Sequence, residues 1–251
     1  AASLKKKVRV HLKIDTGMHR LGFMPGDIDR LIKRVKELSC IKIMSVFSHL
    51  AAADDPSFDD ITHKQAALFL SAAERIRSGI GYSFLQHLLN TAGIARFPQY
   101  QFDMVRPGIG IYGAETYEGI TLRPVSRFKT RIIQIKMIPA GEAVGYGFTD
   151  RSDRDRNIAI LPVGYADGLN RRLGNRKGNL FINGSRAPII GKICMDLCMA
   201  DLTGIDASEG DEAEIFGLNI PIGEIARLCE TIPYEILTSI PGRVKRIFYR
   251  E

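Results

Sequence analysis

Cysteine is scarce in this chain: Cys40, Cys194, Cys198 and Cys229 are the four among 251 residues. A disulfide-stapled scaffold uses cysteine far more densely. Cys194 and Cys198 form a C-x3-C pair with no second pair nearby, so no metal site is expected. The four read as free thiols of a reducing compartment, and the expected location is cytoplasmic. No apolar run reaches the ~18–20 residues that a membrane-spanning helix requires, so no membrane partner is expected. Residues 1–15 carry no charged-then-apolar export pattern. Acidic residues are outnumbered: 28 Asp and Glu against 35 Lys and Arg leave a formal charge of +7. A basic chain can bind nucleic acid. However, the densest cluster, Lys5-Lys6-Lys7, has no interleaved aromatic residues and no recognisable binding module after it. The charge reads as a basic surface with some attraction for anionic ligands, and no nucleic-acid partner is expected.

What is present suits a globular protein. Hydrophobic residues make up 45% and charged residues 25%, and the length allows one large or two ordinary domains. Residues 1 to 118 alternate two kinds of segment. VRVHLKI, IKIMSVFSHL, FLQHLLN and DMVRPGIGIYG read as strands. GDIDRLIKRVKELS, with Ile28, Leu31, Ile32, Val35 and Leu38 at helical spacing, reads as a helix. So do FDDITHKQAALFLSAAERIRSGI and the short TAGIARFP. This rhythm predicts four parallel βα units. Eight are needed to close a (β/α)8 barrel. No G-x-G-x-x-G follows the first strand, so a dinucleotide fold has no support.

Residues 119 to 251 have a different rhythm. RIIQIKMI, PAGEAVGYG, NIAILPVGYADG, NLFINGSRAPIIGKICMDLCMADL and DEAEIFG are short apolar stretches separated by turns. Asn183-Gly184 marks a hairpin. A mostly antiparallel β domain is predicted, with one late helix, PIGEIARLCETI, and a junction near Thr116 to Pro124.

In parallel βα architectures, function collects at the carboxyl ends of strands. Those ends carry Lys13, Asp15 and Arg20, then Ser48-His49, then Asn90-Thr91, then Arg106. Such a face suits an anionic ligand with several polar handles. Singly, each residue has a plain structural use: a core histidine, a pairing of Arg106 with Asp103, a helix cap at Asn90.

The segments HLKIDTGMHRLGF, FSHLA, LNTA, MVRPGIGIYG, VGYG, PVGYADG, IGKICMD and IPGRVKRIFY resemble those of the alanine racemases, in the family's order and over nearly the whole chain. The family is dependent on pyridoxal 5'-phosphate (fold type III). The resemblance implies α/β plus β architecture: the carboxyl-terminal half of a (β/α)8 barrel at 1–118, followed by a β domain at 119–251. It implies a homodimer with shared active sites, acting on alanine for cell-wall peptidoglycan. Arg106 would face the pyridine nitrogen, which stays unprotonated because guanidinium keeps its protons. Tyr146 would be one of two bases, helped by His49, because a free tyrosine titrates near pH ~10. Arg20, the backbone at Met195, and Lys13, often carbamylated in the family, would serve the substrate carboxylate. The cofactor set would be Asn90, Thr91, Arg106, Gly108, Ile109 and Tyr234. Tyr165, Arg171 and Asp196 would line the substrate's access route.

The family's Schiff-base lysine lies in a V-K-A-N-A-Y-G-H-G-like segment that these 251 residues do not contain. The expectation is therefore that the chain is an incomplete part of the enzyme, inactive when isolated. Rival readings are a serine racemase, a decarboxylase of the same fold, and a non-catalytic fragment.

Overall fold

Hydrophobic spacing and glycine placement account for the first unit, Ala1–Gly110 with Thr116–Thr121. A computed structural model describes residues 6–114, 116–117 and 120–249. Three strands, β1 (Val8–Lys13), β2 (Ile41–Phe47) and β3 (Leu85–His87), form a parallel sheet in the order β1-β2-β3. Parallel neighbours need a crossover, and helices supply it. Helix α1 (Ile28–Glu37) follows β1 and buries Ile28 and Leu31, as the spacing predicts. Helix α2 (Asp59–Ile80) buries Thr62, Gln65, Ala66, Phe69, Ala72, Ala73 and Ile76 along one stripe. It stops at Gly81, whose φ of 77° places it in the left-handed region. The two helices meet where Gly79 lies under Ile32; a Cβ there would stand 2.6 Å from Ile32 Cδ1. Ile14, Ile43, Val46, Leu50, Phe69, Ile76, Leu88 and Leu89 form the core between helices and sheet.

Helix α3 (Thr91–Arg96) is short and starts at Asn90, whose side-chain oxygen accepts from Gly93 N at 2.9 Å. The predicted fourth strand is a correction. Residues 103–106 do run beside β3, with Asp103 N and Arg106 N donating to Gln86 O and Leu89 O. Only Met104 makes a ladder bridge, to His87. Pro107 has no N–H to continue the ladder, and Ile109–Tyr112 close into a 3-10 turn. A small pair, β4 (Thr116–Tyr117) and β5 (Ile120–Thr121), completes this unit. The domain boundary expected between 118 and 119 lies outside the described residues.

The second unit comprises Ile111–Glu115 and Leu122–Glu251. Its strands are β6 (Phe128–Arg131), β7 (Gln134–Ile138), β8 (Ala143–Val144), β9 (Asp150–Arg151), β10 (Arg156–Leu161), β11 (Asn179–Ile182), β12 (Ser185–Ile190), β13 (Cys198–Asp201) and β14 (Glu212–Phe216). Seven of them build one antiparallel sheet in the order β6-β14-β11-β12-β13-β10-β7. The stretch RIIQIKMI, read as one strand, is split between the two edges of this sheet. Ile132 N bonds Asp211 O, and Ile133 N bonds Ile160 O. Asn183 and Gly184 make the predicted hairpin turn between β11 and β12, with φ of 44° and 83°. Two helices follow, α4 (Ile222–Leu228) and α5 (Pro233–Ser239). The sequence predicted only the first; α5 is of the same length, seven residues, and Pro233 in its first turn was a readable start signal. Among the described residues, no helix is long and apolar enough to cross a membrane.

Candidate active site

In the first unit the strand ends converge on Arg106. Its guanidinium donates to Ser48 O (2.6 Å), Leu88 O (3.0 Å) and His87 O (3.2 Å). It also approaches His87 Nδ1 at 2.5 Å and His49 Nδ1 at 3.4 Å. It stands 5.3 Å over the Phe47 ring. Arg106 therefore draws together the ends of β2 and β3 and is not paired with Asp103, whose carboxylate accepts from Gln86 N instead. Burial lowers the Arg106 pKa, yet a guanidinium keeps its charge across any working pH.

His49 feels the cluster directly. Its pKa is lowered by burial first, then by the charges of Arg106, Arg20 and Lys13. Those three predicted cations thus gather around one histidine and favour its neutral form. Asp15, between Lys13 and Arg20, is buried and shapes the loop: its Oδ1 accepts from Gly17 N and His19 N, each at 3.0 Å. Burial pushes its pKa up. The two amides, His19 and Lys13 outweigh that and leave it lowered.

Thr91 and Gly108 also come together. Thr91 Oγ1 accepts from Gly108 N at 2.9 Å and from Gly110 N at 3.2 Å. The threonine thus pins the Pro-Gly-Ile-Gly turn that contains Ile109, while the Asn90 oxygen is committed to its helix cap. The Gly108 amide, expected to face a phosphate, is likewise committed, to Thr91. His87 was missed by sequence reasoning, which placed the end of the third strand at Asn90. No local signal singled it out, because FLQHLLN holds Gln86 and Asn90 as well as this histidine.

The second unit gathers the other predicted residues. Tyr146 sits at the tip of a tight turn and is 71% exposed. Gly145, Gly147 and Phe148 all have positive φ, at 76°, 74° and 51°; two glycines make that path affordable. Tyr165 N donates to Cys194 O and Ala166 N to Met195 O, both at 3.0 Å. The Tyr165 loop and the Met195–Asp196 turn are thereby joined. The Arg171 guanidinium lies 5.7 Å over the Tyr165 ring. Arg243 bridges the same two segments, donating to Asp167 Oδ1 at 2.9 Å and Asp196 Oδ1 at 2.7 Å. Tyr234 stands in the first turn of α5, partly exposed.

A second feature here escaped the sequence. Arg156, almost fully buried, bonds Asp150 and, at 3.3 Å, Asp201. Arg176 bonds the same two carboxylates, at 2.9 and 2.8 Å. Burial would raise the Asp201 pKa, but Thr203 and Arg176 hold it at about 2. The four charges cancel, and they brace the strand that leaves the Tyr146 turn.

Comparison with known proteins agrees with this division. Residues 1–116 match the family model "Alanine racemase, N-terminal domain", and residues 125–248 match "Alanine racemase, C-terminal domain". The chain is 40% identical over 269 residues to the alanine racemase of Desulfosudis oleivorans, covering 99% of this chain and 68% of that protein. It is 38% identical over 254 residues to alanine racemase 2 of Caldanaerobacter subterraneus subsp. tengcongensis, covering 97% and 65%. A solved alanine racemase from Bartonella henselae, with covalently bound pyridoxal phosphate, superposes with a TM-score of 0.87 at 33% identity, covering 99% of this chain and 68% of that one. Fold and site define a two-domain protein with an N-terminal barrel domain and a C-terminal β domain. The chain belongs to the alanine racemase family. It spans about two thirds of the length of the curated relatives it matches.

Proposed function

We propose that the protein carrying this chain interconverts L- and D-alanine with pyridoxal 5'-phosphate, supplying D-alanine for cell-wall peptidoglycan. The observation that carries this reading is the Arg106 hub. It is a permanent cation whose bonds to Ser48, His87 and Leu88 fix it at the strand ends, with His49 beside it. The donors that support the cofactor are a guanidinium for the pyridine nitrogen and, for its phosphate, the Thr91 hydroxyl proton and the Asn90 amide protons, whose oxygens alone are taken up by Gly108 N, Gly110 N and Gly93 N, with the Gly108–Ile109 turn and Tyr234 completing the set. When bound, the cofactor supplies an electron-withdrawing ring that makes the substrate's α-proton removable.

The rest falls to this chain's own residues. Arg106 cannot accept a proton, so it leaves the ring nitrogen unprotonated and tempers electron withdrawal. That favours return of the α-proton over side reactions. Tyr146 is one of the two acid-base groups that inversion requires. His49, held neutral by burial and by the charges of Arg106 and Arg20, would be its hydrogen-bond partner in the assembled enzyme and ease proton loss from the phenol. Arg20 and the Met195 backbone receive the substrate carboxylate, with Lys13 bracing Arg20 as a carbamate. Tyr165, Arg171 and Asp196 border the access route. In this reading residues 1–118 are the last four βα units of a (β/α)8 barrel and 119–251 the β domain. The enzyme is a cytoplasmic homodimer in which Tyr146 serves the partner's site.

The test is loss of optical activity from L-alanine by the protein expressed from its complete coding sequence and loaded with pyridoxal phosphate. Racemisation is expected, with Tyr146→Phe lowering the rate by about 10²–10⁴-fold. A cofactor-loaded protein that releases carbon dioxide and leaves the optical rotation of residual alanine unchanged would overturn the reading.

A further inference from the structure

Each strand of the first sheet contributes a polar side chain to a shared face. His11 of β1 is in register with Ser45 of β2. His87 of β3 is in register with Phe47, two residues on from Ser45 and so on the same face. Their side chains join in a row. His11 Nδ1 lies 2.6 Å from Ser45 Oγ, Ser45 Oγ lies 2.9 Å from His87 Nε2, and His87 Nδ1 lies 2.5 Å from Arg106. Ser45 is fully buried and His87 nearly so. The His87 ring stacks on Phe47, with centroids 4.9 Å apart and planes 4° from parallel, and it meets the His11 ring edge-on.

Valence fixes the direction of these bonds. Guanidinium has no acceptor, so Arg106 donates and His87 Nδ1 accepts. A neutral imidazole then carries its proton on Nε2, which donates to Ser45 Oγ. Among the described residues, the acceptor in reach of the Ser45 hydroxyl proton is His11 Nδ1. The reverse order would leave both His87 nitrogens without a proton, an imidazolate that does not occur near neutral pH.

We propose that Ser45 and His11 form a positioning relay. It locks His87 in its Nε2–H tautomer and through it holds the Arg106 guanidinium in one orientation. The last link, from Arg106 to the cofactor ring, rests on the function proposed above; the relay itself does not. The two groups that face His87, Arg106 and His11, act with burial to keep it neutral. Sequence pattern alone does not reveal the relay, because its members are 34 and 42 residues apart.

Long-range ¹H–¹⁵N correlation spectra of the chain at pH 7 read the tautomer directly. His87 is expected as the neutral Nε2–H form in the wild type and in Ser45→Thr, which keeps the hydroxyl. In Ser45→Ala the Nε2–H loses its acceptor, and its exchange with solvent is expected to rise at least tenfold. In the complete, cofactor-loaded protein, Ser45→Ala is expected to lower kcat for alanine about tenfold with KM within twofold, and Ser45→Thr to restore it. His11→Ala, at the exposed end of the row, is expected to move the same readouts in the same direction, so the test survives a Ser45 variant that fails to fold. An Nδ1–H or doubly protonated His87 in the wild type overturns the relay. So do Ser45→Ala and His11→Ala spectra and kcat indistinguishable from the wild type. A wild-type protein that has the tautomer but does not racemise alanine refutes the functional link and leaves the tautomer lock standing.

Discussion

Gly164→Ala tests how the Tyr165 loop is fitted against the Cys194–Met195 turn. Gly164 sits under the Cys194–Met195 peptide, and a Cβ there would stand 2.2 Å from Met195 O, 2.4 Å from Met195 C and 2.5 Å from Cys194 O. All three are backbone atoms, so no rotamer change relieves the clash. The turn must retreat by at least about 0.8 Å to reach the 3.0 Å floor of real Cβ contacts. That stretches the bonds from Tyr165 N to Cys194 O and from Ala166 N to Met195 O, both 3.0 Å at present. Two weakened backbone bonds cost about 1 kcal/mol each, and overpacking strain adds about 1–2 kcal/mol. The sum is about 3–4 kcal/mol, or roughly a 10 °C fall in Tm for a protein of this size. Differential scanning calorimetry and urea unfolding measure it. The displaced residues include Met195, so on the function proposed above the KM for alanine is also expected to rise. A variant melting within 2 °C of the wild type, a margin of about 1 kcal/mol, would refute the argument that Gly164 is there for steric reasons.

Three further expectations follow from other elements. Arg156→Met strips Asp150 and Asp201 of their deepest partner while Arg176 remains; urea unfolding is expected to show a loss of about 3–5 kcal/mol. His87 gives the protein an acid limit. Its folded pKa is about 4, lowered by burial, then Arg106 and His11, against an ordinary value near ~6.5. The unfolded state therefore protonates first as pH falls. Stability is intact above about pH 6.5 and declines towards pH 4, by at most about 3 kcal/mol and by about half that once screening is allowed for. Unfolding midpoints at pH 7 and 4.5 measure this, and His87→Gln is expected to flatten the difference. Arg243→Gln unties Asp167 from Asp196. These are solvent-screened surface pairs, so Tm is expected to stay essentially unchanged, while hydrogen exchange in the peptide 193–197 speeds up.

Much of this architecture was legible in the sequence, for reasons that particular residues show. The helical spacing of Ile28, Leu31, Ile32 and Val35 and the long stripe from Thr62 to Ile76 are local patterns, and local patterns survive folding. Asn183-Gly184 carried its own turn chemistry. The fourth strand did not form as predicted because Pro107 interrupts a ladder that hydropathy alone would continue. RIIQIKMI reads as one apolar run, yet its two halves pair at opposite edges of a sheet, because Ile132 bonds Asp211 while Ile133 bonds Ile160, partners that no local pattern names. The strand-end residues Lys13, Arg20, His49 and Arg106 could be named because parallel βα units put chemistry there. His87, Ser45 and the Arg156 quartet could not. Their roles are set by neighbours distant in sequence, and a histidine or a serine in a strand has no local signature of its use.

Arg106 holds the carbonyls of Ser48, His87 and Leu88, so it staples two strand ends that would otherwise need water. One side chain thus serves both the stability of the scaffold and the chemistry expected of it. Selection for a sturdier protein and selection for a different ring environment act on the same guanidinium, and neither can be relaxed without disturbing the other. A deep mutational survey scored once for abundance and once for turnover would find the two maps coincide here, while at the outlying Tyr146 tip they would part.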